Sequence, residues 1–322
     1  MTEAPDNTLR ETPAPATAGS RWRTWIGRLL LAGCLGWFVW LLARNFDGVR
    51  NYAWHFQAGW LTAGLLTLAA SMYLLPLGTR LLIGGLGHPI RQAEMNWMYF
   101  SSQLAKYLPG SLWGYVGMAL YYRQRAVPLS AMTACFLYEL ILIVVSSLAV
   151  GASSILPLLP APAAIAGSAL LAAGTAVLLL FPALPLAILG RLPKFHQLRE
   201  VHAAPAAFAR AVRLTFLLDV VFWVLCGGAL WMLFRGSVGD NNCTPLELIT
   251  SFPVAWTAGF LAFIMPGGFG VREGTFVLLL HSHFTQEVAT ALALLARVQW
   301  MLGEWLCVGS AFLIHRIRSS RS

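Results

Sequence analysis

A chain of 322 residues that is 58% hydrophobic and only 11% charged, with a mean hydropathy of +0.67, cannot have water as its main solvent. Soluble domains carry about 25% charged residues. The net charge of +9 sits in short loops between apolar runs, the pattern of a membrane protein's cytoplasmic face, so it calls for no nucleic-acid partner.

Residues 1–20 are rich in Pro, Thr and Ala without apolar periodicity, and read as a disordered cytoplasmic tail. Arg21, Arg23 and Arg28 then precede the apolar run Leu29–Ala43, which Arg44 and Asn45 follow in place of a small-residue cleavage site. It is therefore read as a retained first span. A crossing of about 30 Å takes about 20 apolar residues. Six spans are predicted on that basis: 23–43, 59–79, 130–155, 161–189, 211–234 and 289–314. Trp60 and Trp231, near span ends, suit interfacial anchoring.

Two stretches fit no simple span. Residues 95–122 are broken by Lys106, Pro109 and Gly110; residues 247–281 are broken by Pro266, Gly267, Gly268, Gly270, Arg272 and Glu273. Each joins an apolar arm, a Pro-Gly break beside a cation and a second arm of about a dozen residues, only about 18 Å of helix. Both are expected to be re-entrant helical hairpins. The fold class expected is thus an all-α polytopic membrane protein, one domain over residues 21–318.

Lys and Arg fix the expected orientation. With the N-terminus inside, sixteen of the 22 fall in cytoplasmic segments and only Arg44, Arg50 and Arg235 outside, leaving Lys106, Arg272 and Arg297 at membrane depth. Both termini are then cytoplasmic. In this topology the order span, span, hairpin, span recurs with the second hairpin entering from the opposite side, in halves of about 21–157 and 158–315. Pro109 and Pro266 lie 157 residues apart, Glu139 lies 30 after the first and Arg297 31 after the second. Paired Pro/Gly-interrupted segments of opposite orientation point to an inverted-repeat transporter with a midplane site.

Seven ionisable residues are expected inside the bilayer: Lys106, Glu139, Asp219, Arg272, Glu273, Arg297 and Glu304. Each Arg, Lys or Asp costs about 2.5–3.5 kcal/mol at a span centre by insertion scales, so mutual pairing is expected. Arg297 and Glu304 share a helix face, whereas adjacent Arg272 and Glu273 need partners from elsewhere. Arg272 and Lys106 each stand beside a helix start, where unpaired N–H groups and a partial positive charge favour anions. Gly267, Gly268 and Gly270 leave that backbone uncovered, and the Arg272 fork suits phosphate or carboxylate. The substrate-binding set expected is Lys106, Pro109, Gly110, Pro266, Gly267, Gly268, Gly270, Arg272 and Glu273, with Glu139, Asp219, Arg297 and Glu304 as a charge network.

No metal and no cofactor are expected. His281 and His283 with Glu287 lack HExxH spacing and read as a polar loop. Cys34, Cys135, Cys226 and Cys307 lie in apolar runs, Cys243 lies alone in a loop, and there is no CxxC pair. No P-loop or GxSxG appears either.

The stretch from Met265 through PGGFGVREG to Gly274 resembles the signature of the lysylphosphatidylglycerol synthase transmembrane region, also called the flippase-like family. The segment Lys106 to Trp113 (KYLPGSLW), residues 125–131 (RAVPLSA) and Glu139 are similar to that family's earlier Pro-Gly segment and the acidic span after it. The resemblance covers about residues 25–315. It implies a bacterial inner-membrane protein that flips a phosphate-bearing polar lipid or lipid-linked intermediate. The soluble aminoacyl-transferase domain of two-domain members is absent from this sequence, so synthesis is not implied. An accessory subunit or enzyme of lipid or polyprenyl-glycan synthesis is the alternative. The partners implied are phospholipid or lipid-linked substrate, a separately encoded lipid or glycan synthase, and a second copy of the chain in a homo-oligomer.

Overall fold

A computed structural model of the protein describes residues 50, 52, 54–103, 113–201, 205–239, 243–262, 268, 270–281 and 283–319. The expected first span, and the breaks at Lys106, Pro109, Gly110, Pro266 and Gly267, lie outside these. Among the described residues the chain is helical and has no strand. The helices are α1 (Ala58–Met72), α2 (Leu74–Gly85), α3 (Gln92–Gln103), α4 (Trp113–Gln124), α5 (Leu129–Ile155), α6 (Ala161–Leu180), α7 (Leu184–Leu189), α8 (Pro205–Val238), α9 (Pro245–Leu261), α10 (Val271–Leu280) and α11 (Gln286–Ser319).

Five described segments are long and apolar enough to cross a membrane: Ala58–Gly85, Leu129–Leu158, Ala161–Leu180, Pro205–Val238 and Gln286–Ile317. They coincide with the second to sixth expected spans. The protein is an all-α polytopic membrane protein. Two boundaries differ from expectation. The run 161–189 is two helices, because Pro182 and Pro185 lack the N–H groups that would continue α6 through Phe181. The freed carbonyl of Pro182 instead accepts from the Tyr138 hydroxyl on α5. Helix α8 has 34 residues against the expected 24, starting well before 211. At 1.5 Å per residue it is about 51 Å long and outreaches the hydrocarbon, so its terminal arginines need not be buried.

Helix α8 is the hub, packing against α1, α2, α5 and α9. Its C-terminal half joins α1, α9, α10 and α11 in one core around Trp223, Phe234, Leu248, Phe276 and Leu292; its N-terminal half joins α2 to α5 in another around Leu82, Met95, Tyr138 and Leu142. At the opposite extreme, α6 is apolar all round and buries only Leu178. A helix of that kind at the edge of the bundle meets lipid.

Helix crossings are close where side chains are small, as is usual when lipid rather than water surrounds the helices. A Cβ at Gly227 on α8 would stand 2.2 Å from the Ile249 Cα of α9, and one at Gly151 on α5 would stand 2.4 Å from Val254. Ser147 bonds Thr257, and Ser154 donates to Thr250 at 2.7 Å, tying α5 to α9 along the same contact. A matched pair of substitutions tests this packing. In Gly228→Ala the new methyl meets nothing within 4 Å, so helix propensity raises stability by up to about 1 kcal/mol. Gly227→Ala forces α8 from α9 and lowers stability by about 1–3 kcal/mol. Thermal denaturation of the purified protein in detergent reads both.

The ends of the bundle are tied separately. At one, the N–H groups of His55 and Gln57 donate to the carbonyls of Ser237 and Gly236, and Arg235 lies 5.7 Å and 5.8 Å from the ring centres of Trp60 and Trp231. His283 lies 3.4 Å from Glu247, so α9 and α10 start and finish together. Elsewhere Arg125 pairs with Glu94, and Trp97 stacks on His315.

Candidate functional site

Helix α9 begins with a capping box: Thr244 accepts from the Glu247 N–H, and Glu247 accepts from the Thr244 N–H at 2.7 Å. Its inward end approaches the start of α10 at glycines. A Cβ on Gly259 would lie 2.7 Å from the Arg272 Cβ, and one on Gly268 would lie 2.7 Å from the Gly259 carbonyl oxygen. Gly268 and Gly270 have φ of +68° and +82°, values that L side chains rarely adopt. These glycines bring α10 hard against α9 and turn the chain into it.

Glu273, in the first turn of α10, closes the helix start by accepting from the Gly270 N–H at 2.8 Å. Its other oxygen accepts from Arg297 of α11 at 2.9 Å, in a pair with only 7% and 12% of the two side chains exposed. The expected need of Glu273 for a partner from elsewhere is met by Arg297. Glu304 accepts from Trp300 Nε1 at 2.6 Å.

Arg272 is held differently. Its guanidinium carbon lies 4.9 Å from the ring centre of Phe252 on α9 and 4.8 Å from that of Trp300 on α11. Two desolvated cation–π contacts offset part of the burial cost, at about 2 kcal/mol each. Glu273, Glu304 and Arg297 are in its electrostatic surroundings, but among the described residues no side-chain or backbone oxygen accepts a hydrogen bond from it. The two ring centres are themselves 5.7 Å apart, so both rings lie to one side of the guanidinium carbon. A small void between Arg272, Glu273, Phe276 and Ala293 has room for about one water molecule.

A second charged group lies at the junction of α2, α5 and α8. Glu139 accepts from the Thr79 hydroxyl of α2. Asp219 of α8 is 4% exposed, accepts no hydrogen bond from the described residues, and has the Glu139 carboxyl as its electrostatic neighbour. One turn away on α8, Thr215 donates to the Gly78 carbonyl at 3.2 Å, and on the other side Trp223 donates to Ser146 at 3.1 Å. A carboxyl at this depth with no hydrogen bond from the described residues gains little from them in folding. Asp219→Asn is therefore expected to leave the melting temperature in detergent unchanged or higher; a fall of several degrees would mean that Asp219 has a stabilising partner.

The expected residues thus separate. Arg272, Glu273, Arg297 and Glu304 come together with Gly268 and Gly270; Glu139 and Asp219 form their own group; Lys106, Pro109, Gly110, Pro266 and Gly267 are outside the described residues. Between the two groups stands an aromatic cluster that the sequence pattern did not single out: Phe222 and Trp223 are 4.8 Å apart, Trp223 is 5.1 Å from Trp256, and Phe252 is 5.7 Å from Trp300. Trp300 carried a usable signal, since it lies three residues after Arg297 and four before Glu304, on their face of the helix.

These features define a helical membrane domain with an arginine-centred charged and aromatic cluster among its buried helices. The sequence matches the lysylphosphatidylglycerol synthase TM region over residues 25–302, most of the chain, and the protein belongs to that family of lipid-related membrane domains. Among curated proteins, no relative matches it.

Proposed function

We propose that the protein translocates a phosphate-bearing polar lipid or lipid-linked intermediate across a bacterial inner membrane. The observation that carries this reading is Arg272: a buried guanidinium 4.9 Å and 4.8 Å from the Phe252 and Trp300 rings, from which none of the described residues accepts a hydrogen bond. Such a fork matches two oxygens of a phosphate, in a setting where charge-assisted hydrogen bonds are strongest. The start of α10 adds a partial positive charge beside it.

In this reading α9–α10 is a re-entrant hairpin. Helix α10 has 10 residues, about 15 Å, short of the hydrocarbon thickness, and both ends of the pair meet at Glu247 and His283. The pair α3–α4, with 12 residues in each arm, is assigned as its counterpart in an inverted repeat, and Lys106, Pro109 and Gly110, which join the two arms in sequence, are assigned to the headgroup from the cytoplasmic side. Pro266 and Gly267 complete the opposing cradle, both chain termini are cytoplasmic, and acyl chains remain in surrounding lipid. The Glu273–Arg297 pair, Glu304 and the Glu139–Asp219 pair change partners as the halves rock, which supplies the discrete alternatives that alternating access needs.

Reconstituted into vesicles, the protein is expected to move phospholipids between leaflets faster than protein-free vesicles do. A diacyl glycolipid without phosphate should move at the protein-free rate. Equal movement of both lipids would remove phosphate recognition from the account. Covalent change of the lipid, seen by mass spectrometry, would replace transport with enzyme chemistry.

A further inference from the structure

At the end of the α9–α10 pair the chain assembles three chemically different donors that are scattered in sequence. Cys243 and Glu247 flank the start of α9, and His283 lies in the turn between α10 and α11. One ligand atom from each, the Cys243 sulfur, a Glu247 carboxylate oxygen and a His283 ring nitrogen, all lie within 4.8 Å of one another. We propose that these three residues bind a borderline-soft divalent transition-metal ion, with Zn2+ the best match, at the face from which α9 enters the bundle.

The donor set selects the ion. Thiolate with imidazole disfavours Mg2+ and Ca2+, which take oxygen ligands, and suits Zn2+, whose sites combine Cys, His and carboxylate. Tetrahedral bonds of about 2.0–2.3 Å place ligand atoms about 3.5 Å apart, so small side-chain rotations from the observed spacing close the site. His283 Nε2 is already 3.4 Å from Glu247 Oε1.

Two features go beyond an ordinary surface ion pair. Cys243 is 3% exposed, although it lies in a loop, so its thiol is gathered in rather than left in solvent. Glu247 is oriented by its cap: Oε2 accepts from the Thr244 N–H at 2.7 Å and from the Thr244 hydroxyl at 3.0 Å, which leaves Oε1 turned to His283. Supporting hydrogen bonds of this kind fix a metal ligand before the ion arrives. A pairing of Glu247 with His283 alone would require no sulfur at the same point.

The ion would fasten the start of α9 to the end of α10, closing the base of the unit that carries Arg272. Three protein ligands leave a fourth position for water or an incoming group. This site stands independently of the lipid reading, and its test needs no transport.

The full, untagged chain in detergent, stripped with chelator, is titrated with Co2+ as a spectroscopic substitute and then with Zn2+. We expect one ion per chain, a sulfur-to-cobalt charge-transfer band, and a melting temperature raised by Zn2+ but not by Mg2+. Cys243→Ser removes the charge-transfer band, and His283→Ala weakens Zn2+ binding at least tenfold. The Zn2+-dependent melting shift in unmodified protein keeps the test decisive should either variant fold poorly. Absence of both the shift and the band in the unmodified chain overturns the proposal, as does Zn2+ uptake that survives both substitutions unchanged.

Discussion

Arg297→Met is expected to destabilise the protein by about 3–5 kcal/mol, the usual consequence of removing one partner of a buried ion pair. Glu273 would keep its bond from the Gly270 N–H but lose the cation 2.9 Å away, leaving a carboxylate 6% exposed among apolar helices. The change should loosen α10 from α11 and, through the tight Gly259–Arg272 contact, disturb the setting of Arg272. Adding Glu273→Gln removes the stranded charge while retaining an acceptor for Gly270. The double variant should therefore recover most of the lost stability, a strongly non-additive pair. Thermal melts of the two single variants and the double variant check this. Additive losses would mean that the two side chains do not act as a unit.

The second large effect concerns transport. Arg272→Ala deletes the fork but leaves both aromatic walls, Phe252 and Trp300, in place. If the fork holds a phosphate through charge-assisted hydrogen bonds of about 1.5–3 kcal/mol, its loss slows phospholipid movement about 10- to 150-fold. Arg272→Lys keeps the charge but loses the planar donor pair, and should fall between the two. Because burying an arginine is costly to the fold, Arg272→Ala should not reduce the melting temperature much, which separates a functional loss from an unfolded protein. The readout is the leaflet exchange rate of a labelled phospholipid, normalised to folded, reconstituted protein.

Much of the architecture was legible because lipid imposes simple rules. Five of the six predicted spans recur in the described residues, since a run of apolar residues long enough to cross has few alternatives. The errors lie where local backbone chemistry competes with hydropathy. Pro182 ends α6 inside a run that is apolar throughout, and α8 continues through Arg210 and Arg213 because a helix does not stop at the membrane surface. The charged residues were legible as a set but their pairing was not. Shared helix face singled out Arg297 and Glu304, whereas the close α9–α10 approach at Gly259 and Gly268, which no local pattern signals, delivers Glu273 to Arg297. The aromatic walls of Arg272 come from Phe252, twenty residues before it, and Trp300, twenty-eight after, so no local pattern announces them. Cys243 was unreadable for the same reason, its neighbour His283 being forty residues distant.

The central claim is that Arg272 recognises phosphate, and the most direct test is selectivity rather than rate. One vesicle assay compares the leaflet exchange of a phospholipid and of a phosphate-free diacyl glycolipid, for the unmodified protein and for Arg272→Ala. The account predicts a phospholipid preference of at least tenfold in the unmodified protein that collapses to near unity in the variant. A preference that survives Arg272→Ala, in a variant that melts normally, would contradict it.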